Sequence, residues 1–164
     1  MTGNPIIQKL YPMRKSIILS ATLIWLLFSC TNNELKEEIV DKYPNGAPKK
    51  IEYFLTDGDK KELVKETRFF ENGEKYMEGE FKNGKKNGKW TAWFENGKKQ
   101  SEGIFKEGFS NGPINVWNEN GTKLYEGYYK SSKPDSIWTF YKPGGEISKK
   151  VTFKDGKKIS EQAE

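Results

Sequence analysis

The side chains that most often do chemistry in proteins are scarce in this chain of 164 residues, which has no histidine and one cysteine. Histidine and cysteine supply the commonest general bases, nucleophiles and zinc ligands. The run Asp57-Gly58-Asp59 carries two carboxylates but lacks the other ligands of a calcium loop, which favours a plain turn. Gly84-Lys85 lacks the Ser or Thr that completes a phosphate-binding loop. We therefore expect no enzyme activity, no metal site and no cofactor.

Three glutamates, Glu78, Glu102 and Glu126, recur at a spacing of 24 residues. Paired carboxylates can act as a catalytic acid and base, but side chains one repeat apart do not form such a pair. We interpret all three as exposed charges on a solvated surface.

The cysteine, Cys30, ends a leader with its own composition. Residues 17–28 form an apolar run without a charge, preceded by the basic pair Arg14-Lys15. The run is too short to cross a bilayer as a mature helix, and it is typical of a secretory signal peptide. We expect a helical signal peptide over residues 1–29, with translation starting at Met13.

Residues 27–30, Leu-Phe-Ser-Cys, resemble the lipobox of bacterial lipoproteins. The resemblance implies that the chain is cut before Cys30 and that the Cys30 thiol carries a diacylglycerol. The acyl chains would anchor the protein to a membrane of the cell envelope almost permanently. We expect the outer membrane, on its periplasmic or its outer side, with residues 30–42 as lipidated N-terminus and polar tether.

The charge balance argues against a nucleic-acid partner. Three of the 28 basic residues, Lys9, Arg14 and Lys15, precede Cys30, which leaves 25 basic and 23 acidic residues. Lysines and glutamates alternate along this part of the chain, so no basic stripe for phosphates is formed.

The rest of the chain repeats itself. Asn72-Gly73, Asn96-Gly97 and Asn120-Gly121 recur every 24 residues, and Gly144-Gly145 takes the same place once more. Such dipeptides supply the positive φ angles of tight hairpin turns. A second corner follows each turn, for example at Gly108. Each unit therefore reads as two strands and two corners, an array that we place at residues 43–158, followed by a tail at 159–164.

In the central copy, alternation puts Trp90 and Ala92 on one face of the strand and Thr91 and Trp93 on the other. On the return strand, Gly103 recurs in phase with Gly79 and Gly127. A glycine inside a strand costs stability, so we expect each one to make room for a neighbouring ring to lie flat over the backbone.

Residues 79–90 resemble the MORN repeat, whose pattern is Gly-x-aromatic-x-x-Gly-x-x-x-Gly. The 24-residue period and Trp90 are closer to the MORN-variant repeats of bacterial antitoxin-like proteins and their lipoprotein relatives. The resemblance implies an all-β fold: an elongated, single-layer antiparallel sheet of successive hairpins, used for protein or lipid contacts rather than catalysis.

Trp93, Trp117 and Tyr141 hold the same position in successive repeats, so a stacked sheet would align them along one face as a candidate binding surface. These rings either stack as scaffold or contact a partner. The leading hypothesis is a lipid-anchored scaffold that binds a protein in the envelope. A glycan-binding outer-membrane lipoprotein and an antitoxin-like partner of an envelope toxin are the alternatives.

Overall fold

The described residues form one open antiparallel sheet, which confirms the predicted all-β hairpin array. The computed structural model describes residues 34–164, so the leader and Cys30 lie outside the described residues. Eleven strands follow one another in the sheet in chain order. Their bounds are β1 Glu34–Lys42, β2 Pro48–Asp57, β3 Lys60–Phe69, β4 Lys75–Lys82, β5 Lys85–Trp93, β6 Lys99–Lys106, β7 Phe109–Trp117, β8 Lys123–Lys130, β9 Lys133–Tyr141, β10 Ile147–Lys154 and β11 Lys157–Ala163.

The asparagine–glycine corners are turns, as predicted, but only the glycine takes a positive φ angle. The Gly97 amide donates to the Phe94 carbonyl, and Gly97 has a φ of 78°. Asn96 has another role, because its side-chain oxygen accepts a hydrogen bond from the Lys98 amide at 3.0 Å. Its side-chain nitrogen donates to the Glu119 carbonyl of the next turn at 3.3 Å. The asparagine therefore closes its own turn and links it to its neighbour.

The second corners are the ones with two consecutive positive φ angles, the geometry of two-residue hairpins. Asn83-Gly84 has φ angles of 52° and 70°. The equivalent corner between β8 and β9 is Ser131-Ser132, where both serines hold positive φ angles without a glycine. Ser132 offsets part of the cost of this backbone conformation, because its hydroxyl accepts a hydrogen bond from the Ser110 amide at 3.1 Å.

The sheet extends further at both ends than the sequence predicts. Residues 34–42, expected as tether, form β1, because Leu35 and Ile39 lie opposite Leu55 and Ile51 in apolar cross-strand pairs. Most of the expected tail, from residue 159, belongs to β11, where Glu161 pairs with Lys149 at 3.1 Å.

The sheet has two faces, which we call front and back. The front face carries Trp90, Ile114 and Trp138, and the back face carries Thr91 and Trp93. Most of the buried apolar side chains lie on the front face, among them Trp90 and Trp138, which are 5% and 6% exposed.

The glycines inside strands make room for rings, as predicted. The indole of Trp90 lies directly over Gly79, and the indole of Trp138 lies over Gly127. In both places a Cβ on the glycine would overlap the indole. Phe81 and Phe105 contact the Trp90 ring edge-on, with centroids 5.3 and 6.0 Å away.

The described part of the chain holds no helix that is long and apolar enough to span a membrane.

Candidate binding surface

The three rings predicted as a binding face do share one face and one position in the repeat. Trp93, Trp117 and Tyr141 are the last residues of β5, β7 and β9, and all three are half-buried. They lie on the back face, Trp93 and Trp117 beside asparagine–glycine turns and Tyr141 beside the Gly144-Gly145 turn. We call them the ring row. Trp90 and Trp138 lie on the front face, as the alternation predicts.

A lysine from the preceding repeat lies over each ring of the row. The ammonium of Lys75 is 5.8 Å from the centre of the Trp93 ring, within the reach of a cation–π contact. Lys99 over Trp117 and Lys123 over Tyr141 repeat this arrangement, each at 5.9 Å.

A strand irregularity places these lysines on the back face. In the pairing of β5 with β6, Ala92 lies opposite Ser101, but the next residue, Trp93, lies opposite Lys99. The residue skipped in between, Gln100, forms a bulge. The bulge shifts the alternation by one, so Lys99 shares the face of Trp93 and Glu102.

The recurring glutamates are paired, contrary to our interpretation of them as plain exposed charges. The Oε2 atom of Glu102 lies 2.7 Å from the ammonium nitrogen of Lys99 and 2.9 Å from that of Lys89. Glu78 is placed alike, with Lys75 at 2.9 Å and Lys65 at 3.0 Å. Each of these two glutamates thus pairs with the lysine three residues before it on its own strand and with a second lysine on the neighbouring strand. A spacing of three normally puts two strand residues on opposite faces, so the sequence did not predict the pairs within one strand.

The pairing lowers the pKa of each of these carboxyl groups. Hydrogen bonds from Lys99 and then Lys89 lower the pKa of Glu102. For Glu78, burial raises the pKa, but the hydrogen bonds from its lysines and from Thr67 outweigh it, so the net shift is downward. All of these glutamates are therefore ionised at neutral pH.

The last ring of the row, Tyr141, contacts the third recurring glutamate through its hydroxyl. It donates to Glu126 at 2.7 Å, while Lys123 contacts the other oxygen of that carboxylate at 2.6 Å. The hydrogen bond from Lys123, and then that from Tyr141, lower the pKa of Glu126. The same hydrogen bond to Glu126 is the main cause that raises the pKa of Tyr141.

The resulting surface is a strip of rings, ammonium groups and carboxylates in fixed order. Its carboxylates are held by lysines, so the strip is suited to contact rather than to proton transfer or metal binding. Within residues 34–164 no cluster of Cys, Asp or Glu side chains is arranged to hold a metal ion. Asp57-Gly58-Asp59 makes the tight turn between β2 and β3, with Asp57 opposite Lys60.

The lysines of the strip were missed by the sequence analysis, although a signal for them exists. Lys75, Lys99 and Lys123 recur every 24 residues, in phase with the glutamates. The bulge that turns them to the back face has no comparable signal in the sequence.

Comparison with known proteins bears on the repeats. A family model described as "MORN repeat variant" matches residues 64–83 and 86–107. Each matched stretch covers a strand, an asparagine–glycine turn and the return strand. No curated protein matches the chain.

Among solved structures, the chain is similar to one titled "Crystal Structure of TarM", at 13% sequence identity and a TM-score of 0.32. The match covers 79% of this chain and 21% of that one, so this chain spans about a fifth of the length of the solved chain.

The two stretches that match the family model, residues 64–83 and 86–107, are MORN-variant repeats, which indicate a repeat-based binding or scaffold module.

Proposed function

We propose that this protein is a lipid-anchored scaffold of the bacterial cell envelope, whose back face binds a protein partner. One observation carries the proposal: ring, lysine and glutamate recur together in three successive repeats, at Trp93, Trp117 and Tyr141. The recurrence places three rings and their charged neighbours side by side on one face, as a continuous surface that a partner can contact.

The chemistry of the strip favours a protein over a sugar. Sugars stack on open aromatic faces, whereas each ring of the row has a lysine above it, as Lys99 lies above Trp117. Alternating ammonium and carboxylate groups complement a protein surface of alternating charge, and half-buried rings supply the apolar contact area. A glycan and an envelope toxin remain the alternative partners.

In-cell photo-cross-linking tests the back face. A photoreactive phenylalanine analogue at Trp117 should give a discrete cross-linked protein, because this position is the middle of the ring row. The matched control is the analogue at Lys158, an exposed position that lies opposite Phe153 on the front face. Trp93→Ser should weaken the Trp117 cross-link several-fold while the circular dichroism spectrum persists.

The outcomes separate the three candidate partners. A cross-linked product that is a toxin encoded nearby would identify the toxin alternative. Saturable binding of oligosaccharides that Trp93→Ser removes would identify the glycan alternative. Equal cross-linking from Trp117 and from Lys158 would refute the ring row as the contact surface.

The anchor has its own test, at Cys30. The resemblance of residues 27–30 to a lipobox supports a mature chain that begins with an acylated Cys30. Mass spectrometry of protein extracted from membranes should detect the acyl groups, and Cys30→Ala should leave an unprocessed chain. A full-length product with a free thiol would refute the anchor.

A further inference from the structure

The two front-face tryptophans, Trp90 and Trp138, are separated by a repeat without one. Trp90 and Trp138 each lie over a glycine of the preceding strand. Between them, at the same position of the intervening repeat, the chain has Ile114. Ile114 reaches its glycine, Gly103, only with its Cδ1 atom, which lies 3.0 Å from where a Cβ on Gly103 would be.

A groove of about 170 Å³ opens at this position. We call it the Ile114 groove. Its walls are mostly apolar, and its lining includes Trp90, Ser101, Phe105, Ser110, Ile114 and Tyr129. Pockets for whole small molecules usually measure about 300 to 1,000 Å³. The Ile114 groove is smaller and fits a single ring.

A lysine without a carboxylate partner lines the same groove. The Lys86 ammonium lies 3.8 Å from the centre of the Trp90 ring and 5.3 Å from that of Phe105. Within residues 34–164 Lys86 forms no ion pair, and the nearby Glu66 is already held by Lys50 and Arg68. Burial is the main cause that lowers the pKa of Lys86, and the attraction of Glu66 offsets it only in part.

We propose that the Ile114 groove binds an aromatic side chain of a protein partner, with a carboxylate beside that ring paired to Lys86. The ring takes the place that the repeat's own indole occupies at Trp90 and Trp138. The carboxylate supplies the direct ion pair that Lys86 lacks. Naming a protein as the source of this ring rests on the proposed scaffold function. The chemistry of the groove does not, because the groove lies on the front face, apart from the ring row on the back face.

Two small probes test the groove on the full-length protein: N-acetyltryptophan and its amide. They share the indole and differ only in the carboxylate. In NMR titrations N-acetyltryptophan should shift the Gly103 amide and the Trp90 indole signals, with a Kd on the order of 1 to 10 mM, as expected for one side chain. The amide should bind about fivefold more weakly, the effect of one partly exposed ion pair.

Two variants locate the binding. Ile114→Trp should fill the groove with the repeat's own indole and abolish the shifts, while the melting temperature stays the same or rises. Lys86→Met keeps the side-chain stem over Trp90 and should remove the difference between acid and amide. Lys98→Met, at an exposed turn lysine, should change neither probe's binding.

Three outcomes would overturn the proposal. They are binding that survives Ile114→Trp, equal binding of acid and amide by the unaltered protein, and no shifts at about 20 mM probe, which is well above the expected Kd. Should Ile114→Trp fail to fold, Lys86→Met still decides the question. Because no partner protein takes part, a failed titration is distinct from a failed cross-link at Trp117.

Discussion

Gly79→Ala tests whether the tryptophans are held by the glycines beneath them. In the structure a Cβ at residue 79 would overlap the indole of Trp90, which is 5% exposed. Gly79 does not have a positive φ angle, so the backbone itself accepts alanine. The effect of the substitution therefore comes from displacing the ring.

The expected size follows from what the ring would lose. Overpacking a well-packed site costs about 1 to 3 kcal/mol. Trp90 also donates a hydrogen bond from its indole to the Glu80 carbonyl at 3.1 Å, and losing such a bond costs about 1 kcal/mol. We expect Gly79→Ala to lower the free energy of unfolding by about 2 to 4 kcal/mol. Gly127→Ala, beneath Trp138, should behave alike.

Gly103→Ala is the matched control. Here a Cβ would meet the Cδ1 atom of Ile114 at 3.0 Å, and the end of an isoleucine side chain can rotate away. Gly103→Ala should therefore lower the free energy of unfolding by less than about 1 kcal/mol. Urea unfolding followed by both fluorescence and circular dichroism measures the difference, since an array need not unfold in one step.

A double-mutant cycle sharpens the test. In a Trp90→Leu background, Gly79→Ala should cost much less, because the indole that it displaces is gone. Equal costs at Gly79 and Gly103, or no coupling between Gly79 and Trp90, would refute the packing argument.

Two further predictions concern strain and pH. Ser136→Gly should raise the free energy of unfolding by about 1 kcal/mol, because Ser136 holds a φ of 61° where Gly88 of the second repeat has 71°. Gly88→Ser should lower the free energy of unfolding. A lower urea midpoint for Ser136→Gly than for the unaltered protein would show that Ser136 is not strained. The depressed pKa of Glu102 implies stability that is present above its ordinary value of 4.5 and lost as the pH falls through the lower folded value. Glu102→Gln should flatten that acid-side loss, measured by urea unfolding between pH 6 and about pH 3.

The sequence predicts the sheet well because each repeat carries its own turn and strand signals. The recurrence of Asn96-Gly97 and of Gly103 at a period of 24 residues sets the corners and the strand order. The sequence also predicts the face on which each ring lies, since Trp90 and Trp93 lie on opposite faces of β5 as alternation requires.

The bulges and the ends of the sheet could not be predicted in this way. The bulge at Gln100 depends on the pairing of two strands and turns Lys99 to the back face. At the edge, β1 carries the polar composition of a tether, and only its pairing of Leu35 and Ile39 with β2 marks it as a strand. These features depend on neighbours across the sheet rather than on the local sequence.

A periodic surface has a limitation as a binding site. Because each repeat adds two strands, a partner on the ring row meets the same chemistry again after a shift of about 10 Å. The row alone therefore permits several registers of similar affinity. The front face, by contrast, carries a position that breaks the period. Ile114 replaces a tryptophan, and Lys86 has no lysine at the equivalent residues 62, 110 and 134. These two irregular positions line one groove on the front face, so a partner whose ring enters the groove is held there in a single register along the sheet, independently of what binds the ring row on the back face.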